Sequence, residues 1–174
     1  MSNFLKGKNN RKGFSLVEIV IYFSMLAVLT IVVISSLMSL FKSYSVIKLQ
    51  QDIEASAIQV LDKMTRDIRD ADGVVSAQSS FGVPEGSVAL TITTDSVTDT
   101  YRYYVASSSV KVSKNGTYIG DLTQSSVTVN SLTAYEILGT STHAIKLELN
   151  LQATPRYGTS TISENFYTTV QLRN

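Results

Sequence analysis

The sequence contains no cysteine. That excludes a disulfide framework and any thiolate metal site, and it leaves the redox compartment open. It contains one histidine, His143, so no histidine–cysteine cluster can form. A lone histidine just ahead of an alternating segment reads as a surface or capping residue rather than a catalytic base. There is no P-loop, no dinucleotide fingerprint and no nucleophile elbow around any serine. The chain therefore carries no motif for catalysis, for a cofactor or for a resident metal, and no enzymatic activity is expected. Glycine and proline are missing from residue 14 through residue 72. Charge is almost missing from residues 14–41, FSLVEIVIYFSMLAVLTIVVISSLMSLF, where Glu18 stands alone.

What is present is unevenly placed. The 174 residues suffice for one domain plus an anchor. Residues 14–41 hold a large share of the 44% hydrophobic content. Residues 1–13 carry Lys6, Lys8, Arg11 and Lys12 and no acidic residue. Setting these four aside takes the formal net charge from +1 to −3. A basic segment beside an apolar span stays cytoplasmic, which predicts a single-pass protein of the cytoplasmic (inner) membrane with its N-terminus inside. As a helix the 28 residues would span about 42 Å against a hydrocarbon core of about 30 Å. An ordinary secretory signal has a shorter apolar stretch followed by a small-residue cleavage site, and neither occurs here. A carboxylate inside such a span costs about 2.5–3.5 kcal/mol at the centre and less near an end, so Glu18 needs a reason. An interfacial pair with Lys12 is the plain one.

A sharper one comes from the surrounding residues. Lys12-Gly13-Phe14-Ser15-Leu16-Val17-Glu18 resembles the processing motif of type IV prepilins and pseudopilins. The resemblance covers about the first 30 residues: the basic leader, Gly13, Phe14, Glu18 and the apolar run all agree. Ser15 and Val17 stand where Thr and Ile are commoner in that family. The resemblance implies cleavage by a prepilin peptidase between Gly13 and Phe14 and N-methylation of Phe14. It also implies an assembly role for Glu18, which would neutralise the Phe14 ammonium of a neighbouring subunit. Gly13 suits a cut site because it offers no side chain to obstruct a protease. A charge pair in low dielectric selects register, because either charge left alone is expensive.

Beyond residue 41 the apolar pattern becomes one-sided. Val46, Leu49, Ile53, Ala57, Val60, Met64, Ile68 and Ala71 step by three or four, as an amphipathic helix requires. The opposite face offers the i, i+4 pairs Asp62–Arg66, Lys63–Asp67 and Arg66–Asp70. Gly73 is the expected C-terminal cap. One helix over residues 14–72 follows, with a bend near Ser35-Ser36 or Lys42-Ser43 as the alternative. Many members of the resembled family carry proline near the position of Ser35, and this chain does not.

From Val74 the period becomes two. Residues 87–93, 101–105, 145–151 and 166–172 read as strands, and 127–129 as another short one. Residues 110–113 and 117–119 form a hairpin around Asn115-Gly116, the residue pair of a type I′ turn. Asn115-Gly116-Thr117 also matches a glycosylation sequon, but the turn supplies a direct backbone reason for the pair. The predicted fold is thus α+β and pilin-like. Its long helix is transmembrane in the first half and amphipathic in the second, and packs on an antiparallel β-sheet. The organisation is a leader over 1–13 that is removed, a membrane or filament-core helix over 14–41, its continuation over 42–72, and an extracytoplasmic β-rich domain over 73–174.

The order of elements, residues 61–69 and the closing strand ending Leu172-Arg173-Asn174 resemble J-type minor pseudopilins of type II secretion and W-type minor pilins. The resemblance implies a minor subunit that initiates or caps a type IV pilus, a secretion pseudopilus or a competence pseudopilus. Its partners would be prepilin peptidase, other pilin-like subunits through the N-terminal helix, and membrane lipid before assembly. A major shaft subunit and a signal-anchored adhesin that never assembles are the rivals. Some pseudopilins bind calcium, for which Asp95 and Asp99 would be the candidates. The EF-hand pattern is missing, and solvation at an exposed turn is the simpler reading. Nucleic acid would be a partner only in a competence machine. From Gly73 onward six Lys/Arg face seven Asp/Glu, which is no general nucleic-acid footprint, and leaves only a local patch of Arg102, Lys111 and Lys114.

Overall fold

The computed structural model describes residues 15–139, 143–155 and 161–172. One long helix, α1 (Leu16–Asp70), is followed by eight strands and a single 3₁₀ turn, Ser76–Gln78. The strands are β1 (Gly73–Val74), β2 (Ser87–Thr94), β3 (Val97–Ala106), β4 (Ser109–Lys114), β5 (Thr117–Asp121), β6 (Thr128–Leu138), β7 (His143–Ala153) and β8 (Ile162–Gln171). The architecture is α+β, with the helix packed on antiparallel sheet. The chain divides into two units, Met1–Phe41 and Lys42–Asn174, and α1 contributes to both. It is assigned without interruption through Ser35-Ser36 and Lys42-Ser43.

In the first unit, Leu16, Ile21, Phe23, Met25, Leu29, Ile31 and Val33 are all exposed, and by helical spacing they fall on every side of the helix. It is the one helix among the described residues that is long and apolar enough to cross a membrane.

In the second unit the apolar stripe of α1 finds its cover. Ile53, Ala57, Val60, Met64 and Ile68 are fully buried, and Ala71 nearly so. They share one core with Val88, Leu90, Tyr103, Val110 and Val112 on one side and with Leu132, Ile145, Leu147, Leu149 and Leu151 on the other. Leu49 packs at its margin, and Val46 is 37% exposed, where the stripe runs out.

The strands form two sheets rather than the single one expected. β1-β2-β3-β4-β5 is a five-stranded meander and β6-β7-β8 a three-stranded one, with every pairing antiparallel. The segment before β2 links them: Gly86 N donates to Leu132 O (2.9 Å) and Leu132 N to Pro84 O (2.8 Å). Gly86 is required there, because a Cβ would lie 2.9 Å from Leu132 O and 3.0 Å from Ser80 O.

The hairpins of the larger sheet turn on two residues each. Asn115 and Gly116 both have positive φ (51° and 81°), as a type I′ turn demands. The Asn115 side chain is built into the sheet: its Oδ1 accepts from Thr100 N and its Nδ2 donates to Asp99, each at 2.8 Å. Asp95-Ser96 and Ser107-Ser108 make the preceding turns with the same left-handed backbone and no glycine.

Three expectations need correction. Gly73 does not cap α1 with a left-handed residue; among the described glycines only Gly82 and Gly116 have positive φ. The chain leaves the helix directly into sheet pairing, with Asp72 N donating to Thr91 O and Thr93 N to the Asp72 carboxylate, both at 2.8 Å. The Arg66–Asp70 pair does not form, because Arg66 grips both oxygens of Asp62 at 2.6 and 3.3 Å. Asp67 does pair with Lys63 (2.8 Å), but it is not on a solvated face: it is 6% exposed and accepts a hydrogen bond from the Tyr103 hydroxyl.

Candidate functional site

The site with the most chemistry by sequence is the N-terminal junction. Gly13, Phe14 and the leader residues Lys6, Lys8, Arg11 and Lys12 lie outside the described residues. The described chain opens at Ser15, whose carbonyl accepts from Glu18 N (3.0 Å) and Ile19 N (3.2 Å) and so starts α1. Glu18 therefore sits in the first turn, where free backbone N–H groups and the helix dipole favour a negative charge. It is half-buried. Its Oε1 accepts a hydrogen bond from the Tyr22 hydroxyl one turn on, at 3.1 Å. Among the described residues no cation pairs with Glu18. Tyr22 was not singled out from the sequence, although its i, i+4 spacing from the only acid of the run was the available signal.

Three polar side chains deeper in the apolar run are self-sufficient. Ser24 donates to Ile21 O, Thr30 to Leu26 O and Ser35 to Ile31 O, each at 2.8 Å. With their hydroxyls bonded to their own backbone, these residues enter lipid or a packed bundle without an orphan donor. Glu18 is the one charged side chain in this stretch, so its transfer from water is the most costly without an outside partner.

The remaining candidates resolve into structural pairs. Asp99 accepts Lys114 Nζ at 2.7 Å and Asn115 Nδ2 at 2.8 Å. Those two hydrogen bonds, Lys114 first, hold its carboxyl below the ordinary aspartate range. Asp95 lies in the β2–β3 turn, and among the described residues no three His, Cys, Asp or Glu side chains cluster as a metal site would need. His143 Nε2 meets Glu136 Oε1 at 2.8 Å across the β6–β7 pair. Arg102, Lys111 and Lys114 do not form one patch. Arg102 and Lys111 share the outward face of the five-stranded sheet, whereas Lys114 is paired with Tyr101 in register, on the other face. Both lysines are committed to carboxylates, Lys111 to Asp121 (3.4 Å) and Lys114 to Asp99 (2.7 Å).

Sequence reasoning also missed the buried pair Asp67–Tyr103, which joins the helix to β3. Tyr103 is fully buried. Burial, and next the hydrogen bond to Asp67, push its phenol far above the ordinary tyrosine range.

Compared with known proteins, the chain matches no family model, no curated protein and no solved structure.

Proposed function

We propose that the chain is a pilin-like subunit that becomes a minor component of a type IV pilus or of a related pseudopilus. Prepilin peptidase cuts between Gly13 and Phe14 on the cytoplasmic side, and Phe14 is then N-methylated. Residues 14–41 hold the mature chain in the cytoplasmic membrane and later move from lipid into a filament core of like helices. One apolar environment replaces another in that move, so helix packing and specific pairing decide it. Glu18 supplies the pairing by neutralising the Phe14 ammonium of a neighbour.

The observation that carries this reading is the state of Glu18. It is the sole charge in residues 14–41, lies four residues after the proposed new N-terminus, and has only the neutral Tyr22 hydroxyl as a side-chain partner among the described residues. The apolar surface around it is exposed on every side, which suits a bundle of copies rather than an intramolecular core.

Intact mass of the membrane-extracted protein, with and without a prepilin peptidase, tests the reading. The expected product begins at N-methylated Phe14. A full-length chain in both samples would leave an ordinary signal anchor and remove the assembly role of Glu18.

A further inference from the structure

The outward face of the five-stranded sheet holds a cleft that anchoring and assembly do not use. The Cα pairs Arg102↔Ser113, Tyr104↔Lys111 and Ser113↔Tyr118 put these side chains on one face. Part of that face is roofed by the 3₁₀ segment: Val75 N donates to Ala89 O (2.8 Å) and Ala89 N to Ser79 Oγ (2.9 Å), which buries Ala89 completely. Between this roof and β5 remains a cleft of about 180 Å³ lined by Gln78, Thr100, Arg102, Tyr104, Ser113 and Tyr118.

One polar group in it lacks the partner its chemistry wants. Arg102 has no carboxylate within ion-pair distance among the described residues. Its contacts are the Tyr104 ring, 5.4 Å from the guanidinium carbon, and a long 3.5 Å approach to Ser87 Oγ. Ser113, 7% exposed, lines the cleft beside it. The opposite wall is fixed. The Tyr118 hydroxyl donates to Asp121 (2.9 Å), and Lys111 lies 5.3 Å from the centre of its ring while paired with the same Asp121.

We propose that this cleft binds an acidic saccharide unit, one sugar ring bearing a carboxylate. The carboxylate takes the two-pronged hydrogen bond that a guanidinium offers. The ring lies against Tyr104 and Tyr118. The hydroxyls of Thr100 and Ser113 and the amide of Gln78, which both donate and accept, serve the ring hydroxyls. Charge count selects a carboxylate: among the described residues the cleft has one uncommitted cation, matching one negative charge. A nucleic-acid strand needs a row of cations along its phosphates, and Lys111 on the same face is already paired with Asp121. Size selects a single ring, since the cleft is smaller than the roughly 300–1,000 Å³ of pockets that enclose a whole drug-sized ligand. The ligand is then the end or a branch of a longer acidic glycan.

Isothermal titration of the full-length protein in nanodiscs tests this, with a glucuronate-terminated trisaccharide as probe. The neutral glucose trisaccharide, inorganic phosphate and an oligothymidylate are the comparisons. The expected result is saturable uronate binding at least tenfold tighter than to the neutral sugar. Arg102→Gln should weaken it at least tenfold, Arg102→Lys less, and Lys114→Gln on the other face not at all. Both side chains are outside the core, and near-ultraviolet circular dichroism of the tyrosines checks that each variant keeps its fold. No saturable uronate binding, equal affinity for the neutral sugar, or full affinity in Arg102→Gln would each overturn the proposal. Tighter binding of phosphate or the oligonucleotide than of the uronate would overturn it too, by assigning the cleft to another anion. The expected result is the same with or without residues 1–13, so failure of the processing reading does not mimic failure here.

Discussion

Asp67 and Tyr103 are where a single pair of side chains governs most. A carboxylate removed from water is costly unless it is hydrogen-bonded and paired, and Asp67 has both Lys63 and Tyr103. Tyr103→Phe removes one of these and leaves the cavity shape unchanged. A hydrogen bond to a charged group contributes about 1.5–3 kcal/mol, and a loss of that size is expected in chemical unfolding at neutral pH. The alkaline limb carries a second signature. The Tyr103 phenol is raised in the folded state, so the folded chain keeps a proton that the unfolded chain releases above pH about 10. Its stabilisation is whole below that pH and declines as pH rises past it, by about 1.4 kcal/mol per pH unit for one proton. Unfolding midpoints measured from pH 9 to 11 should fall less steeply in Tyr103→Phe than in the parent chain. Parallel curves would show that the phenol is not held neutral by burial and Asp67.

Among the elements, α1 shows what periodicity can and cannot disclose. The steps from Ile53 to Ile68 were legible because burial on one side of a helix repeats every three or four residues. Asp67 was not legible, since an acid beside Ile68 with a lysine four residues back looks like a solvated i, i+4 pair until a tyrosine from a distant strand closes over it. The same limit applies to β6, of which only the start was expected. A bulge between Val129 and Ser131 shifts the register. The inward positions therefore pass from Val129 to Leu132 and Ala134, and the period of two breaks in mid-strand. The helix end was misread for a related reason, because pairing of Asp72 with β2 replaced a local glycine cap. The Arg102 cleft was invisible as a site, since its lining comes from three strands and a 3₁₀ turn. The stripe makes a direct comparison available. Met64→Ala should destabilise the domain by about 2–5 kcal/mol. Ile58→Ala, at a position 67% exposed, should stay within about 0.5 kcal/mol. Thermal unfolding followed by tyrosine near-ultraviolet circular dichroism reads both, and equal shifts would mean that the helix is not seated on the sheets by this stripe.

For the molecule as a whole, the division of labour follows from where apolar surface is left uncovered. The stripe of the second unit is covered by the chain itself, whereas the helix from Leu16 to Phe41 is not. On the proposed reading, its surroundings are lipid first and other subunits afterwards. Glu18→Ala should leave peptidase processing intact and reduce recovery in sheared filaments at least tenfold, because the neighbouring ammonium would enter the core unpaired. Immunoblots of membrane and sheared fractions give both readouts. Normal incorporation of the variant would remove Glu18 from the assembly step.

The two sheets have a further property in common: every strand in each is bonded only to strands adjacent to it in sequence. Neither sheet needs a late residue inserted between early ones. Ordering one hairpin closes only a short loop, so the entropy lost before each gain in contact is small. On the proposed reading the chain is held at its N-terminal end and delivered from there onward, and for such a chain this is a favourable order of events. The five-stranded meander is complete in sequence before residue 128, so its share of the helix stripe can be covered first, which would keep the exposure of sticky, half-made sheet brief.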